Sequence, residues 1–505
     1  MTDLTTILDE ISGFVWGPFF LIPLLLGAGL YLTIRLGGIQ FTKLIPALSL
    51  GIIKRKDAGS EGDISQFQAL TTALAATIGT GNIVGVATAL AIGGPGALFW
   101  MWVTGLVGMA SKYSEAYLGV RFRGTDTAGE KSGGPQYYLE RGIKGPVGKI
   151  LGLAFAIFAV IACFGIGNMT QANAIASNVE SSWSVPIWVT GLILTVLTLI
   201  VLVGGIKSIG RVTAGLVPFM VVFYVLGGLY ILLANFGALP AAFAQIFTEA
   251  FTGSSATGGF AGAAIIIVIQ YGVARGMFSN ESGLGSAAIA AAAAQTTHPV
   301  RQGLVSMTQT FIDTIIVVTI TGLVIISTGT WSQTDPETGE QLSAALMTGE
   351  AFSHGLPGEW GHWVVTLGLV LFAFSTILAW SYYGERNIER LFGRSLVMPF
   401  RVLFSLIVFV GATAELEVVW LFSDIFNGLM ALPNLIGLLV LSGFVARETK
   451  YYLQHDPKLE ANKEQIEAFM ADRPGWEEWK SGDVIGSSRN YGIKQQNTTG
   501  SHRSQ

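Results

Sequence analysis

Residues 77–85 read Thr-Ile-Gly-Thr-Gly-Asn-Ile-Val-Gly, inside an apolar segment that runs from Ile64 to Ile92. Three glycines and three polar side chains thus stand where a membrane helix is expected to be most regular. Each glycine costs about 1 kcal/mol relative to alanine in a helix. Irregular backbone at membrane depth is tolerated only where its amide and carbonyl groups face protein, water or a ligand. The stretch therefore predicts a helix that is broken near the bilayer midplane, around a site for a small polar solute.

Composition places the chain among membrane proteins. Of its 505 residues, 51% are hydrophobic and 12% are charged, whereas a soluble chain carries about 25% charged residues. The single cysteine, Cys163, excludes a disulfide framework and a thiolate metal site. A net charge of -4 argues against nucleic acid as a partner, and the sequence has no phosphate-binding loop for a nucleotide. We expect an all-α polytopic protein that lies in a lipid bilayer and holds no cofactor.

About eleven apolar stretches reach the length of about 20 residues that a bilayer-crossing helix needs. We number them as spans 1 to 11 in chain order. They cover Phe14–Leu36, Ser65–Ile92, Ala97–Val120, Val147–Val179, Val185–Gly205, Val212–Phe236, Gly262–Gln295, Val300–Gly329, Trp360–Phe392, Pro399–Ala414 and Val418–Val445.

Charge alternates between the loops. Lysine and arginine concentrate after spans 1, 3, 5, 7, 9 and 11, and the intervening loops carry mainly acidic residues. Because positively charged loops stay in the cytoplasm, this pattern places the N-terminus outside and the C-terminus in the cytoplasm. We divide the chain into a transmembrane domain, residues 1–445, and a polar cytoplasmic tail, residues 446–505. In the tail we expect a short amphipathic helix over 451–472 and disorder over 482–505, where apolar residues are scarce.

Span 7 carries a second interruption, over residues 275–285, where the sequence reads Arg-Gly-Met-Phe-Ser-Asn-Glu-Ser-Gly-Leu-Gly. An alanine-rich helix is expected to follow it over Ser286–Ala294. The two breaks are five spans apart, so the broken helices cross the membrane in opposite directions. Such pairs are typical of inverted repeats, and we expect a 5+5 repeat of spans 2–6 and 7–11 with span 1 outside it. The alternative is that these glycines only let helices pack closely.

The breaks present helix ends with complementary chemistry. The half-helix that restarts near Gly81 has free N–H groups and partial positive charge, which suit a carboxylate. The carbonyl end expected near Gly276–Phe278 suits an ammonium group or a cation. Thr80, Asn82 and Ser279 can supply further donors and acceptors. The two ends together describe a site for a zwitterion, that is, an amino acid.

Span 9 carries two adjacent hydroxyls, those of Ser375 and Thr376. They either bond back to carbonyls of their own helix or face the broken span 2 and bind sodium, a hard cation that takes oxygen ligands. Trp380 lies four residues after Thr376 on the same helix face. Its indole either walls the pocket and limits substrate size or only packs against neighbouring helices.

Four further polar residues lie at or near membrane depth. Gln171 in span 4, with Gly167 leaving room on the same face, either contacts a ligand or makes an interhelical hydrogen bond. Asp313 in span 8 is either a proton or cation site or the partner of a neighbouring helix. Arg275 and Glu281 flank the break in span 7 and form either a gate pair or a structural pair.

The run over residues 93–102, Gly-Gly-Pro-Gly-Ala-Leu-Phe-Trp-Met-Trp, resembles the signature of the sodium:alanine (alanine/glycine:cation) symporter family. The break at 79–82 and the segment 279–283 are similar to that family too, and the resemblance covers Phe14–Val445. It implies a LeuT-type inverted-repeat fold with an added first helix. It also implies a transporter, not an enzyme, for sodium-coupled uptake of alanine, glycine or a close relative across a bacterial or archaeal-type cytoplasmic membrane. Some relatives prefer glutamine, so a sodium- or proton-coupled carrier of glutamine or another neutral amino acid is the alternative.

The resemblance also implies which residues bind substrate and sodium. Carried onto this chain, the substrate contacts fall at Thr80, Gly81, Asn82, Gln171, Phe278, Thr376 and Trp380. Sodium is expected to take the backbone oxygens of Ala75 and Ile78 together with the hydroxyls of Ser375 and Thr376.

Two other classes of membrane protein fit the sequence less well. A channel needs a continuous polar pore or a ring of repeated filters, and two unlike breaks in one chain supply neither. A metal-dependent membrane enzyme would need a ligand cluster, whereas the five histidines lie in loops, in the tail or at span ends.

Overall fold

The protein is mostly helical. A computed structural model describes residues 2–57, 59–252, 261–334, 341–358, 360–414, 417–473, 476 and 479. Within these ranges six helices are long and apolar enough to cross a membrane, and a bent pair of helices makes a seventh candidate. The expected disorder over 482–505 lies outside the described residues.

Span 2 is broken where the sequence predicts it. Its first half, Gln66–Thr77, begins with a capping box in which Ser65 accepts from the Gln68 backbone and the Gln68 side chain accepts from the Ser65 backbone. The second half runs from Gly81 to Gly93, opening with a wide π-type turn. The two halves are bent by 54°. The predicted interruption is therefore confirmed.

Span 7 breaks later than expected. Its long helix, Ala261–Asn280, runs through Arg275 and Gly276 without interruption, and the short helix that follows covers Ala287–Ala292. The expected carbonyl end at Gly276–Phe278 and the expected helix Ser286–Ala294 are thus wrong in their limits. The helix continues because Gly276 faces span 3, where a Cβ atom would lie 2.4 Å from the Thr104 hydroxyl oxygen. This glycine permits close packing between helices, and the chain turns only after Asn280.

Most other predicted spans match helices within a few residues. Span 1 is shorter than expected, because Phe14 and Val15 end a separate amphipathic helix, Thr2–Val15, and the apolar helix begins only at Leu21. The remaining span helices are Leu21–Arg35, Gly96–Arg121, Pro146–Phe164 continued by Gly165–Met169 and Thr170–Trp183, Ile187–Val203, Gly205–Ala234, Pro299–Thr310 continued by Phe311–Val318 and Thr319–Ser327, Trp360–Phe392, Val397–Thr413 and Glu417–His455.

Short elements connect the spans. They are the helices Ile39–Thr42, Leu44–Leu48 with Ser49–Lys54, Pro135–Gly142, Leu239–Thr252 and Ala344–Gly355, the single turns Phe236–Ala238, Thr330–Ser332 and Arg394–Leu396, and the strands Gly124–Thr125 and Lys131–Ser132.

The antiparallel hairpin of residues 124–132 ties both broken spans to span 9. Beside it, Arg123 donates to two carbonyls at the end of the short helix of span 7, at 2.9 and 2.7 Å. The backbone N–H of Lys131 donates to Asp63, just before span 2, at 2.7 Å. From span 9 the buried Arg386 pairs with Asp126 of the hairpin at 3.3 Å. Movement of the broken spans away from span 9 therefore requires this ion pair to separate or the hairpin to deform.

The described part of the tail packs on the transmembrane domain. The helix of span 11 continues across the predicted boundary at residue 445 to His455, and a second helix covers Lys463–Met470. The prediction of one amphipathic helix over 451–472 is therefore wrong. Asp456 pairs with Arg301 at 3.0 Å. Burial alone would raise the pKa of Asp456, but the bonds from Arg301 and two backbone N–H groups hold it below its ordinary value. The domain boundary itself stays a prediction.

Candidate functional site

The break in span 2 releases a helix carbonyl. In an uninterrupted helix the N–H of Gly79 would bond to the carbonyl of Ala75, four residues earlier. Here that N–H donates instead to the side-chain oxygen of Asn82 at 3.1 Å. The carbonyl of Ala75 is therefore free of the helix ladder and open to other partners.

The hydroxyls of span 9 use that carbonyl. Thr376 Oγ1 lies 2.8 Å from the Ala75 carbonyl oxygen and 3.1 Å from the Phe372 carbonyl oxygen of its own helix. Ser375 Oγ lies 2.8 Å from the Phe372 oxygen and 3.5 Å from the Ala75 oxygen. Both hydroxyls thus bond back to their own helix and also face span 2, and sodium binding by them stays a prediction. The approach requires glycine in span 2, since a Cβ atom on Gly79 would lie 2.6 Å from Thr376 Oγ1.

The two breaks touch each other. A Cβ atom on Gly81 would lie 3.2 Å from the Phe278 ring and 3.2 Å from the Ser279 backbone. In span 7 the N–H of Ser282 donates to the Asn280 side chain at 2.9 Å. In a continuing helix that N–H would bond to the Phe278 carbonyl. The break in span 7 therefore frees a carbonyl beside the N-terminal end of the second half of span 2.

Asp313 lies between the two breaks. One carboxylate oxygen accepts from Asn82 Nδ2 at 2.8 Å, and the other accepts from Ser279 Oγ at 3.0 Å and from Thr314 Oγ1 at 2.8 Å. The side chain is fully buried. Asp313 thus bonds to both broken spans at once, and it presents the kind of oxygen that a hard cation takes.

Gln171 of span 4 holds the bend of span 2. Its Oε1 accepts from the Thr80 backbone N–H at 3.3 Å, and its Nε2 donates to Thr80 Oγ1 at 3.1 Å and to the Ile166 carbonyl at 3.0 Å. The interhelical hydrogen bond expected as one alternative is therefore present. A contact between Gln171 and a ligand stays a prediction.

The space beside Gly167 is filled. A Cβ atom there would lie 2.3 Å from the Cβ atom of Trp380. The expectation that Gly167 leaves room for a ligand is therefore wrong in this structure, because the tryptophan of span 9 packs directly against the glycine. The role of Gly167 is to let spans 4 and 9 approach each other.

Trp380 is buried, with 1% of its surface exposed. Its indole Nε1 donates to Glu281 Oε1 at 2.8 Å. The other Glu281 carboxylate oxygen accepts from Ser286 at 2.5 Å. The Arg275 guanidinium instead lies 5.9 Å from the Phe278 ring centre. Glu281 is therefore observed in a structural role, bound to span 9 and to its own break.

Span 3 carries two buried charges, Lys112 and Glu115, that were not predicted to belong to the site. Lys112 donates to the Glu281 carbonyl at 3.0 Å. Glu115 accepts from the Gly285 backbone at 3.0 Å and from Asn434 at 2.7 Å. A lysine and a glutamate three residues apart inside an apolar span are a signal that the sequence did offer, since intramembrane charges are costly and usually functional.

A third residue that was not predicted from the sequence, Gln309 of span 8, bridges the two breaks. Gln309 Nε2 donates to Thr77 Oγ1, at the end of the first half of span 2, at 2.8 Å. The same nitrogen lies 3.3 Å from the Asn280 carbonyl at the end of the long helix of span 7. The Asn280 and Glu281 carbonyls at the break in span 7 are thus bonded to Gln309 and Lys112.

The residues predicted to bind substrate or sodium lie around the contact between the two broken spans. All are buried except Phe278, which is half-buried; they are Ala75, Ile78, Thr80, Gly81, Asn82, Gly167, Gln171, Phe278, Ser279, Ser375, Thr376 and Trp380. A helix N-terminus, freed carbonyls, hydroxyls and one carboxylate stand together in the core of a membrane protein. Such a set can hold a small zwitterion and a hard cation without a buried lysine or arginine for the carboxylate.

Comparison with known proteins agrees with the resemblance found in the sequence. The profile of the sodium:alanine symporter family matches residues 1–467. The sodium/alanine symporter AgcS of Methanococcus maripaludis is 53% identical over 89% of this chain and 97% of its own. GlnT of Bacillus subtilis, described as a probable sodium/glutamine symporter, is 33% identical over 96% of this chain and 99% of its own.

Among solved structures, the crystal structure of MhsT in complex with L-phenylalanine has a TM-score of 0.52 and 15% identity, covering 77% of this chain and 98% of that chain. At this identity the likeness shows the fold, which is the LeuT-type arrangement of helices that was expected. With a family profile that matches residues 1–467 and a relative above half identity, the chain belongs to the sodium:alanine symporter family.

Proposed function

We propose that this protein imports a small neutral amino acid, alanine or glycine, by sodium-coupled symport with alternating access. The observation that carries the proposal is the direct contact between the two broken spans, Gly81 against Phe278 and Ser279. The contact brings the N-terminus of one half-helix beside the freed carbonyl of another. The site therefore offers complementary ends to a zwitterion.

The substrate carboxylate would bind at the N-terminus of the half-helix Gly81–Gly93. The partial positive charge of a helix N-terminus favours an anion. Thr80 and Gln171, which bond to each other at 3.1 Å, would border this end. The ammonium group would take the Phe278 carbonyl, and Trp380 would limit the length of the substrate side chain.

Sodium would bind where span 9 meets the first half of span 2. The Ala75 carbonyl is free of its helix, and the hydroxyls of Thr376 and Ser375 lie 2.8 and 3.5 Å from it. With sodium bound, the hydroxyl protons would turn away and the same oxygens would face the cation. The carbonyl of the buried Ile78 is the fourth ligand in the proposal.

Asp313 is proposed as a second place for a coupling cation. Its carboxylate already accepts from Asn82 and Ser279, one residue from each break. A cation there would tie the conformation of both broken spans to its presence. The side chain is also able to carry a proton, and the test of Asp313→Asn given in the Discussion separates the two possibilities.

Alternating access follows from the proposed architecture. We propose eleven spans, of which 2–6 and 7–11 form a 5+5 inverted repeat around the broken helices. The N-terminus would lie outside and the C-terminus in the cytoplasm, in a cytoplasmic membrane of the bacterial or archaeal type. In that orientation the hairpin of residues 124–132 lies on the cytoplasmic side. Its ion pair with Arg386 would have to separate, or the hairpin deform, whenever the site opens inward.

The test is uptake of labelled alanine into proteoliposomes that contain the purified protein. An inward sodium gradient should drive accumulation without ATP, and equal potassium should not. Unlabelled glycine should compete well. Equal uptake in sodium and in potassium would refute sodium coupling, and competition by glutamine well above that by glycine would move the substrate to glutamine.

A matched pair of variants tests the sodium site. Thr376→Ser keeps the hydroxyl and should keep transport, whereas Thr376→Val has nearly the same shape without it. A lost bond to a charged partner costs about 1.5–3 kcal/mol, or about 10- to 150-fold in apparent sodium affinity. The same sodium activation curve for both variants would remove Thr376 from the site.

A further inference from the structure

Glu281 occupies a strained position between three helices. It is the residue after the long helix of span 7, it is only 3% exposed, and its φ of 54° lies in the left-handed region that glycine favours. A residue other than glycine held in this region costs of order 1–3 kcal/mol and persists only where the surroundings over-determine it. The backbone at Glu281 is therefore held in place by its contacts.

Those contacts use every oxygen of the residue. The Glu281 backbone carbonyl accepts from Lys112 of span 3 at 3.0 Å. One side-chain oxygen accepts from Ser286, across the break, at 2.5 Å. The other accepts from the indole N–H of Trp380 in span 9 at 2.8 Å. Glu281 is thus fixed from two sides and presents one oriented acceptor to the third.

Trp380 depends on that acceptor for its polar contact. The indole has a single N–H donor, and the ring is 1% exposed. Gly167 packs against it on one side, and the Tyr383 ring lies 5.6 Å away in an edge-to-face arrangement. Packing confines the ring, and the bond from its N–H to a fixed oxygen selects one orientation within that confinement. Without Glu281 the donor would be buried and unpaired.

We propose that Glu281 is a positioning residue that sets the orientation of the Trp380 ring and thereby the largest side chain that the pocket accepts. The proposal rests on the proposed function, in which Trp380 borders the substrate. It adds that selectivity is set jointly by the break in span 7 and by span 9. Glu281 itself acts on the substrate only through Trp380.

The experiment measures the order in which glycine, alanine, serine, leucine and glutamine displace labelled alanine. Glu281→Ala should reduce the discrimination against leucine, by up to about 150-fold, since the cost of one unpaired buried donor is the upper limit of the effect. Glu281→Gln should restore the wild-type order, because the amide oxygen can still accept from the indole. Glu10→Ala is the matched control, because Glu10 is exposed on the helix Thr2–Val15 and undergoes the same chemical change.

A double-mutant cycle decides whether Glu281 acts through the ring. Trp380→Phe removes the N–H donor, so adding Glu281→Ala to Trp380→Phe should change the order of competitors no further. If Glu281→Ala changes the order of competitors as much in Trp380→Phe as in the wild-type protein, the proposal is overturned. A loss of discrimination against leucine in Glu281→Gln as large as in Glu281→Ala would also overturn it. Displacement of labelled alanine is measured both as binding in detergent and as uptake in vesicles. Thermal unfolding checks that each variant is folded. A variant that binds alanine but does not transport it therefore still gives an order of competitors.

The outcome separates this proposal from the proposed function. Absence of sodium-driven alanine uptake by the wild-type protein refutes the function. Normal uptake with the same order of competitors in Trp380→Phe and Glu281→Ala leaves the function standing and refutes the positioning role.

Discussion

Asp313→Asn is the substitution that best tests how the two broken spans are coupled. The carboxylate of Asp313 accepts from Asn82 at 2.8 Å, from Ser279 at 3.0 Å and from Thr314 at 2.8 Å. Asparagine has nearly the same shape but offers one acceptor oxygen and one N–H₂ group. The hydroxyls of Ser279 and Thr314 can rotate to accept from that group, whereas the amide nitrogen of Asn82 cannot. The variant should therefore turn its oxygen toward Asn82 and lose the charge.

The loss can be estimated from this geometry. A hydrogen bond to a charged group contributes about 1.5–3 kcal/mol, compared with about 0.5–1.5 kcal/mol for a neutral one. Replacing the charged acceptor with a neutral one should cost about 1–2 kcal/mol, or about 5- to 30-fold. A cation that binds the carboxylate itself would lose more. The expected result is a sodium activation curve for alanine uptake that is shifted by at least this factor.

The assay is labelled alanine uptake at a series of sodium concentrations and at several pH values, with equal amounts of folded protein in the vesicles. Asp9→Asn is the matched control, because Asp9 is exposed on the N-terminal helix and undergoes the same chemical change. Unchanged sodium activation and unchanged pH dependence in Asp313→Asn would refute the coupling role. Unchanged sodium activation together with a lost pH dependence would assign a proton to Asp313 instead of sodium.

Two further predictions follow from distances in the site. Ser375→Ala should weaken sodium activation less than Thr376→Val, because the serine oxygen lies 3.5 Å from the shared carbonyl of span 2 and the threonine oxygen 2.8 Å; the reverse order in sodium titrations of uptake would contradict the proposed ligand set. Gly167→Ala should lower the unfolding temperature and abolish transport, because its Cβ atom would lie 2.3 Å from a side-chain atom of span 9, whereas Gly215→Ala has nothing within 4 Å and should be neutral. Normal stability and uptake in Gly167→Ala would show that spans 4 and 9 can separate at no cost.

Much of the architecture was predictable because it depends on local chemistry. The break at Gly79–Asn82 follows from glycines and polar side chains inside an apolar segment, and the structure bends there by 54°. Helix limits were less predictable. From the sequence alone, a glycine such as Gly276 could either end a helix or allow a neighbouring helix to approach. Only the position of Thr104 in span 3 shows that Gly276 allows the approach.

The partners of the buried polar groups could not be predicted from the sequence. Trp380 shares a helix face with Thr376, and this periodicity suggested a pocket wall, but its hydrogen-bond partner is Glu281, 99 residues away. Asn82 and Asp313 are 231 residues apart. Helical periodicity tells which residues of one helix share a face, and it contains no information on which other helix covers that face.

The sequence by itself therefore determined the membrane class, the two interrupted spans and the oxygen-rich residues beside them, because backbone propensity and transfer from water act within a single segment. The tertiary structure decided that Asp313 joins the two breaks, that Lys112 and Glu115 support the break in span 7, and that the space beside Gly167 belongs to Trp380. Each of these outcomes depends on how separate helices pack. A buried polar group must find a partner among the neighbours packed around it, since leaving it unpaired away from bulk water costs free energy.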